Sequence, residues 1–189
     1  MIFGFAGKMG CGKNFVAEKM FIPLFEKKFP SRKILQIAFA DQLKVNTIVK
    51  YNLDRKDLYN IKPNRVRKLL QQEGTENGRG KYGNDIWIRY LSEWMYLLEQ
   101  KGITDFVITD CRFINEVNWI KSQKGKILRI ESDLDKIVYG AEHDNTKMHI
   151  SETELDNYKE WDLILKNNIT NTSNETLELK IEDFLNRLT

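Results

Sequence analysis

The segment Ile2–Met20 reads IFGFAGKMGCGKNFVAEKM and carries the strongest structural signal in this chain. It begins with the apolar run Ile2–Ala6, which predicts a short buried strand. It ends with residues 15–20, whose apolar positions have the spacing of a helix. Between them, residues 7–14 read GKMGCGKN and contain the pattern G-x-x-x-x-G-K. A strand, this loop and a helix, in that order, form the context that a phosphate-binding loop requires.

The composition of the loop predicts how it would hold phosphate. Glycines let the backbone curl until several N–H groups point at one spot, and the helix N-terminus adds partial positive charge. Lys13 supplies a full charge for β- and γ-phosphates, and Asn14 stands where Ser or Thr usually meets Mg²⁺. An amide oxygen can ligate this ion or hold one of its waters. A glycine-rich turn with a chance lysine is the alternative. The favoured prediction is that the chain binds a nucleoside triphosphate through Gly7, Lys8, Met9, Gly10, Cys11, Gly12, Lys13 and Asn14.

Length and composition narrow the class of protein. The 189 residues suit one domain, 1–189, with a single core. No stretch resembles a membrane span or a signal peptide, so no membrane partner is expected. The net charge of +3 is too small to predict a nucleic-acid-binding surface. Two cysteines in such a chain are expected to stay reduced, which favours a cytoplasmic protein.

Strand and helix patterns alternate along the chain. Beyond residues 2–6, strands are predicted at 33–39, 106–110, 126–130 and 161–165. Helices are predicted from about Lys13, over 41–51, from Pro63 to Glu73, from Asn84 or Asp85, after Arg112 and at the C-terminus. Residues 133–150 are polar, carry little periodicity and predict a loop. This order predicts an α/β protein with three layers and a mostly parallel sheet.

Local signals predict where several helices begin, bend or end. Pro23 should bend or end the first helix near Ile22, and Gly74 should cap the helix that follows Pro63. The terminal helix should begin at a capping box, Thr172-x-x-Glu175. An aromatic stripe is predicted to face the core beyond its first turn, at positions Trp87, Tyr90, Leu91, Trp94 and Leu98.

A second signal lies at the end of the strand 106–110. In a parallel sheet, ligands bind beyond the carboxyl ends of the strands, and this strand delivers Asp110 and Arg112 there. Asp110 is predicted to hold Mg²⁺, directly or through water, or alternatively to cap the next helix. Phosphoryl transfer needs alignment and positive charge around the transferred group, so Arg112 is predicted to hold a phosphate.

A third signal is the stretch 67–79, RKLLQQEGTENGR. It predicts a helix with Arg67 and Gln71 on one face, followed by a glycine and a polar loop with Arg79. Between the second and third strands, such a stretch is positioned to grip an acceptor phosphate and a base. A solvated, charged helix is the alternative.

Together these motifs resemble a known family. The motifs are GKMGCGKN at 7–14, LLQ at 69–71 with GTE at 74–76, TDCRF at 109–113 with Asn115-Glu116, and His149-x-Ser151-Glu152. In kind and order they are similar to the motifs of the deoxynucleoside monophosphate kinases of bacteriophages and large DNA viruses. The resemblance implies a phosphate-loop NTPase fold with sheet order 2-3-1-4-5. It also implies an acceptor-binding insertion at 52–85 and a lid at 133–153. Animal-type phosphomevalonate kinases share some of these features more distantly.

The resemblance implies an activity and a set of roles. The activity is ATP- and Mg²⁺-dependent phosphorylation of a deoxynucleoside monophosphate, with dTMP and dGMP as candidates. Lys13, Arg112 and Asp110 would be catalytic, Asn14 and Asp110 would hold Mg²⁺, and Asn167 would border the adenine. Lys136, His143, Lys147 and His149, with Arg129, are the basic residues offered for the lid. The acceptor would contact Arg67, Gln71, Gly74, Thr75, Arg79, Trp87 and Glu152.

Other functions stay open at this point. A kinase for another phosphorylated metabolite, such as phosphomevalonate, would use the same loop. A module that binds ATP without transferring phosphate is a further alternative, because Asn14 is atypical and the lid lacks arginines. The alternative role for His149 is only to start a helix, since Ser151-x-x-Glu154 is a capping box. A homodimer is also open, with the Trp94 face as a contact.

Overall fold

The structure is a computed structural model that describes residues 1–61, 63–133, 149–167 and 173–188. It contains a parallel sheet in the strand order β2-β3-β1-β4-β5. The strands are β1 (Ile2–Ala6), β2 (Ile34–Ile37), β3 (Asp105–Cys111), β4 (Lys126–Glu131) and β5 (Leu163–Lys166). The predicted α/β fold and the strand order 2-3-1-4-5 are both confirmed.

The helices lie between and after these strands, on both faces of the sheet. They are α1 (Lys13–Val16), α2 (Ile22–Lys28), α3 (Ala40–Tyr51), α4 (Asn64–Gly74), α5 (Gly80–Tyr82), α6 (Ile86–Glu99), α7 (Ile114–Ser122), α8 (Ile150–Thr153) and α9 (Asn174–Asn186). Three π-helical segments accompany them, Ala17–Phe21, Asp57–Ile61 and Thr75–Arg79. No helix in the described part of the chain is both long enough and apolar enough to cross a membrane.

The central strand β1 is buried on both faces, as its continuous apolar sequence predicts. One face packs on an aromatic cluster in which the rings of Phe3 and Phe21 meet edge to face at 4.8 Å between centroids. The opposite face is covered by α6 and α7. Gly4 permits this packing, because a Cβ there would lie 2.6 Å from Cδ1 of Ile120. The two cores together hold β1, and the loop that follows it, in the middle of the molecule.

Two predicted helix ends differ from the structure. Of the two outcomes predicted at Pro23, a bend or an end, the end is wrong, because α2 continues to Lys28; the helix type changes at Ile22, where the π-helical segment Ala17–Phe21 meets α2. Gly74 is not a cap either, since its φ of −74° is helical and the chain continues as Thr75–Arg79 and α5. The turn away from the helix comes at Gly83, whose φ is +94°. The predicted polar loop before Arg79 is therefore helical.

Two further predictions are wrong in detail. Trp87 and Leu91 are buried, but Tyr90 and Trp94 are 39% and 48% exposed, so the aromatic stripe is only partly core. The terminal helix is capped by Ser173, whose Oγ accepts a hydrogen bond from the N–H of Thr176 at 3.2 Å, one residue later than predicted. Residue 172 lies outside the described residues.

Candidate active site

A cavity of about 540 Å³ opens at the carboxyl edge of the sheet. Its walls come from the loop after β1, the ends of β2 and β3, α3, the continuous helical stretch 64–82, the start of α6, and α8. It brings together most of the residues predicted from sequence: Met9, Gly10, Gly12, Lys13, Asn14, Arg67, Gln71, Gly74, Thr75, Arg79, Trp87, Asp110, Arg112 and Glu152. Gly7, Lys8, Cys11 and Asn167 are not among its lining residues. The two predicted halves, one for each phosphate-bearing ligand, thus face the same space.

The phosphate-loop glycines have the backbone geometry that the sequence implied. Gly12 has a φ of +88°, and a Cβ at this position would lie 2.3 Å from Nδ2 of Asn167. That same amide nitrogen donates a hydrogen bond to the carbonyl oxygen of Cys11 at 3.0 Å. The side chain of Asn167 therefore supports the backbone of the loop. The predicted contact of Asn167 with adenine stays a prediction.

Lys13 is held against its own loop. Its Nζ donates to the carbonyl oxygens of Gly7 at 2.8 Å and of Lys8 at 2.7 Å. The side chain is buried, and this burial, with the nearby positive charge of Arg112, lowers the pKa of Lys13. A buried cation that faces a cavity favours an anionic ligand, because the anion restores the lost solvation.

Asp110 makes contacts that the sequence did not reveal. Its Oδ1 accepts a hydrogen bond from the N–H of Phe39 at 2.8 Å, and its Oδ2 accepts one from the N–H of Ala40 at 3.0 Å. It thus caps α3, which precedes it in the chain, rather than the helix that follows. These two bonds fix the carboxylate at the floor of the cavity.

The oxygen atoms nearest this floor suit magnesium. Asn14, Thr109 and Asp110 all line the cavity, and each carries a side-chain oxygen. Beside them, Gln36 Nε2 contacts Thr109 Oγ1 at 3.5 Å, while Gln36 Oε1 is buried without a hydrogen-bond partner among the described residues. Mg²⁺ prefers oxygen ligands and keeps several waters, so few protein ligands are enough. Among the described residues no group of three or more His, Cys, Asp or Glu side chains forms a ready metal cage. The donor set therefore fits a hydrated Mg²⁺ carried in with phosphates.

Arg112 and Glu152 meet above the phosphate loop. Arg112 Nη1 forms an ion pair with Oε1 of Glu152 and also donates to the carbonyl oxygen of Ser151 at 3.3 Å. The other carboxylate oxygen of Glu152 accepts the N–H of Met9 at 2.9 Å. Lys8 donates to the backbone carbonyl of Glu152 at 2.5 Å and pairs with Asp156. The segment 149–156 is thus docked on the loop by charged contacts.

Arg79 is more deeply built into the protein than expected. Its side chain is 7% exposed, and its Nη2 pairs with Glu116 Oε1 at 2.5 Å. Its Nη1 donates to the carbonyl oxygen of Asn84 at 2.6 Å, and its guanidinium lies 3.8 Å from the centre of the Phe113 ring. These contacts join the helical stretch 64–82 to the turn that carries Arg112. The predicted contact of Arg79 with an acceptor stays a prediction.

Glu116 was not predicted as a site residue, although it lines the cavity. Its Oε2 accepts the N–H groups of Arg112 at 2.8 Å and of Phe113 at 3.1 Å. Burial raises the pKa of Glu116 to about 7, although the Arg79 charge opposes this shift. The sequence held a signal for this role, because a glutamate three residues after the N-cap Phe113 is half of a capping box. Glu116 thus positions the backbone of Arg112.

The apolar side of the cavity was also missed. Its wall contains Phe39, Leu43, Leu70 and Phe113, which give the cavity an apolar side opposite the charged loop. These residues come from three separate segments, the starts of α3 and α7 and the middle of α4, so no single local pattern links them. The indole Nε1 of Trp87 donates to the Gly74 carbonyl oxygen at 2.8 Å, which ties α6 to α4.

The predicted lid residues are placed only in part. His149 caps α8, because its Nδ1 accepts the N–H of Ser151 at 3.2 Å, and it also lines the cavity, so the helix-start role is observed and the lid role stays a prediction. Arg129 lies with its guanidinium 5.3 Å from the centre of the Trp161 ring. Lys136, His143 and Lys147 lie outside the described residues.

Strand order, loop and cavity together define the class. The central parallel strand is followed by G-x-x-x-x-G-K and a helix, and an acid and an arginine lie beside this loop at the end of the neighbouring strand. This arrangement defines an α/β protein of the phosphate-binding-loop fold.

Comparisons with known proteins agree with this class. A protein of Acanthamoeba polyphaga mimivirus named "Putative deoxynucleotide monophosphate kinase" is 27% identical over 189 residues, covering 90% of each chain. This relative confirms the resemblance drawn from the motifs. No family model matches the chain. Among solved structures, TT1252 from Thermus thermophilus has a TM-score of 0.55 and 16% identity, covering 100% of this chain and 98% of that one. A shikimate kinase from Aquifex aeolicus has a TM-score of 0.45 and 15% identity.

Proposed function

We propose that this protein is a kinase that transfers the γ-phosphoryl group of ATP to a deoxynucleoside 5′-monophosphate, with dTMP and dGMP as candidate acceptors. The observation that carries the proposal is that Lys13 and Arg112 face one cavity together with Arg67, Gln71 and Thr75. Cations from the phosphate loop, from the end of β3 and from α4 around one cavity suit two phosphate-bearing ligands held end to end. The name of the mimivirus relative supports the choice of acceptor.

The donor half of the site would be the phosphate loop. Its N–H groups and Lys13 would hold the β- and γ-phosphates of ATP. Asn14 and Asp110 would hold Mg²⁺, directly or through water, with the hydroxyl of Thr109 nearby. Bound there, Mg²⁺ would neutralise charge on the β- and γ-phosphate oxygens.

The acceptor half would be the wall formed by α3, α4 and the start of α6. Arg67 and Gln71 lie one helical turn apart on α4, and both line the cavity beside Thr75. The apolar side chains of Leu43 and Leu70 would cover a base, which is flat and mostly apolar on its faces. In this proposal, 52–85 is the acceptor-binding insertion and 133–153 is the lid.

The chemistry asks little of the protein beyond alignment and charge. The acceptor is already an ionised phosphate oxygen, so no general base is required. Lys13 and Arg112 would stabilise charge on the transferred group, and closure over the cavity would exclude water. These substrates are available in the cytoplasm, where we expect the protein to act.

The test is a panel of acceptors with ATP and Mg²⁺. The panel contains dTMP, dGMP, dCMP, dAMP, their ribose forms and phosphomevalonate, and both ADP and the phosphorylated product are followed. Turnover confined to deoxynucleotides supports the proposal and identifies the preferred base. Turnover of phosphomevalonate alone contradicts the nucleotide acceptor, and bound ATP without turnover of any acceptor contradicts the kinase activity. Lys13→Ala is the matched inactive control.

A further inference from the structure

The carboxylate of Glu152 lies where an anion of the ligand would be expected. It is 7% exposed and contacts two donors of the proposed phosphate site, the N–H of Met9 at 2.9 Å and the guanidinium of Arg112. The charges of Lys13 and Arg112 lie around it. A backbone N–H of a phosphate loop, with an arginine and a lysine beside it, forms a site for phosphoryl oxygens. Here a side chain of the protein itself provides the oxygens.

A carboxylate and a phosphoryl group cannot share these donors. Each of the two Glu152 oxygens already accepts one strong hydrogen bond, one from the N–H of Met9 and one from Arg112, and all three residues line the cavity. A phosphoryl group placed beside the carboxylate would meet a buried negative charge at close range, which is strongly unfavourable at low dielectric. One of the two anions must therefore leave.

We propose that Glu152 occupies the subsite of a nucleotide phosphoryl group, and that ATP binding exchanges the carboxylate for this group. The inference rests on the proposed function only in taking ATP as the ligand. The exchange keeps the donors of Met9 and Arg112 satisfied in both states, so an empty site does not leave them buried and unpaired.

The attachment of the segment fits such an exchange. Apart from Glu152, the described contacts that hold it to the loop come from Lys8, which donates to the Glu152 carbonyl and pairs with the half-exposed Asp156. Pairs with an exposed partner contribute little to stability, so the segment can release the loop at low cost. Glu154 of the same segment accepts the N–H of Ile114 at 2.8 Å, at the start of α7 rather than in the phosphate loop.

The experiment is calorimetric titration of Mg²⁺–ATP, without acceptor, into the wild type, Glu152→Gln and Glu154→Gln. Glutamine keeps the shape of the side chain but removes the charge that competes with phosphate. Glu152→Gln should bind ATP about tenfold tighter, because the hydrogen bonds from residue 152 to Met9 and Arg112, which ATP must displace, change from charge-assisted to neutral. Glu154→Gln is the matched control from the same segment and should stay within about twofold of the wild type.

Two further measurements protect the test against a folding defect. Without ligand, Glu152→Gln should unfold at a lower temperature than the wild type. The increase in unfolding temperature that ATP causes should be larger in this variant than in the wild type. Asp156→Asn loosens the same segment from its exposed end and should tighten ATP binding in the same direction, by about threefold.

The outcomes separate this inference from the proposed function. Equal or weaker ATP binding by Glu152→Gln overturns the exchange, because the carboxylate would then remain in place and position Met9 and Arg112 for the nucleotide. Tighter binding without turnover of any monophosphate supports the exchange and overturns only the proposed acceptor. If none of the four proteins binds ATP, both proposals are overturned.

Discussion

Replacing Arg79 with methionine tests how the turn that carries Arg112 is held. Arg79 and Glu116 form an ion pair with 7% and 3% of their side chains exposed. Methionine keeps much of the volume but leaves the Glu116 carboxylate buried without its cation. Breaking a buried ion pair by removing one partner costs about 3–5 kcal/mol. Two backbone N–H groups, from Arg112 and Phe113, still reach Glu116, so we expect the lower end of that range, about 3 kcal/mol, at pH 8.5.

The same variant should show a particular dependence on pH. Burial raises the pKa of Glu116 to about 7 from its usual value of 4.5, so the folded protein binds more protons than the unfolded chain between these values. Stability should therefore fall as pH rises from 4.5 to about 7. The Arg79 charge opposes the rise, so Arg79→Met should move the pKa of Glu116 further upward and extend the fall above pH 7. The stability difference between variant and wild type should be small at pH 5.5 and large at pH 8.5.

The assay is urea unfolding of both proteins at pH 5.5 and pH 8.5, followed by circular dichroism. Arg65→Met is the matched control, because Arg65 pairs with Asp57 on the surface, with 77% and 23% of the side chains exposed. That variant should lose at most about 1 kcal/mol, equally at both pH values. A loss for Arg79→Met that does not change with pH, or that stays under about 1 kcal/mol at pH 8.5, would refute the reasoning.

Four other substitutions test the loop and the strand end. Lys13→Ala should lower turnover by about a hundredfold or more while circular dichroism shows an unchanged fold; near-normal turnover in the folded variant would contradict the assigned role. Gly12→Ala should lose ATP binding in a titration, because its φ is +88° and its Cβ would displace Nδ2 of Asn167 from its hydrogen bond to the loop, whereas Gly10→Ala, also at positive φ but in open space, should bind more tightly than Gly12→Ala. Asp110→Asn should cost about 1 kcal/mol in unfolding experiments, since α3 loses a charged cap, and its activity should need more Mg²⁺; an unchanged Mg²⁺ requirement would remove Asp110 from the metal site.

Local sequence patterns were enough to predict the sheet and the nucleotide loop. The apolar runs in β1 and β3 are continuous, as in strands buried on both faces, while Arg129 interrupts that of β4. The glycine spacing of residues 7–13 has few other structural uses after a strand. Right-handed parallel connections then restrict the order of the strands. These predictions succeeded because each depends on neighbours in sequence.

Other features were wrong or missed because they depend on contacts between distant residues. Gly74 reads as a cap, yet its carbonyl accepts the Trp87 indole N–H, and α4 leads directly into the π-helical segment Thr75–Arg79. Tyr90 and Trp94 have core spacing, but they lie toward the exposed face of α6, whereas Leu91 and Met95 in the same turns are buried. The face of Trp94 remains our candidate contact for a homodimer.

The candidate site shows the same division between local and distant contacts. Sequence alone placed Lys13, Asp110 and Arg112 at the edge of the sheet, since Asp110 and Arg112 lie at the end of β3 and Lys13 closes the loop that follows β1. It did not reveal the pairing of Arg79 with Glu116, separated by 37 residues, or that of Glu152 with Met9, separated by 143. Such pairs form only when the completed sheet brings separate segments together and burial makes an unpaired charge costly. The backbone pattern therefore locates the site, while the folded protein determines which charges meet in it.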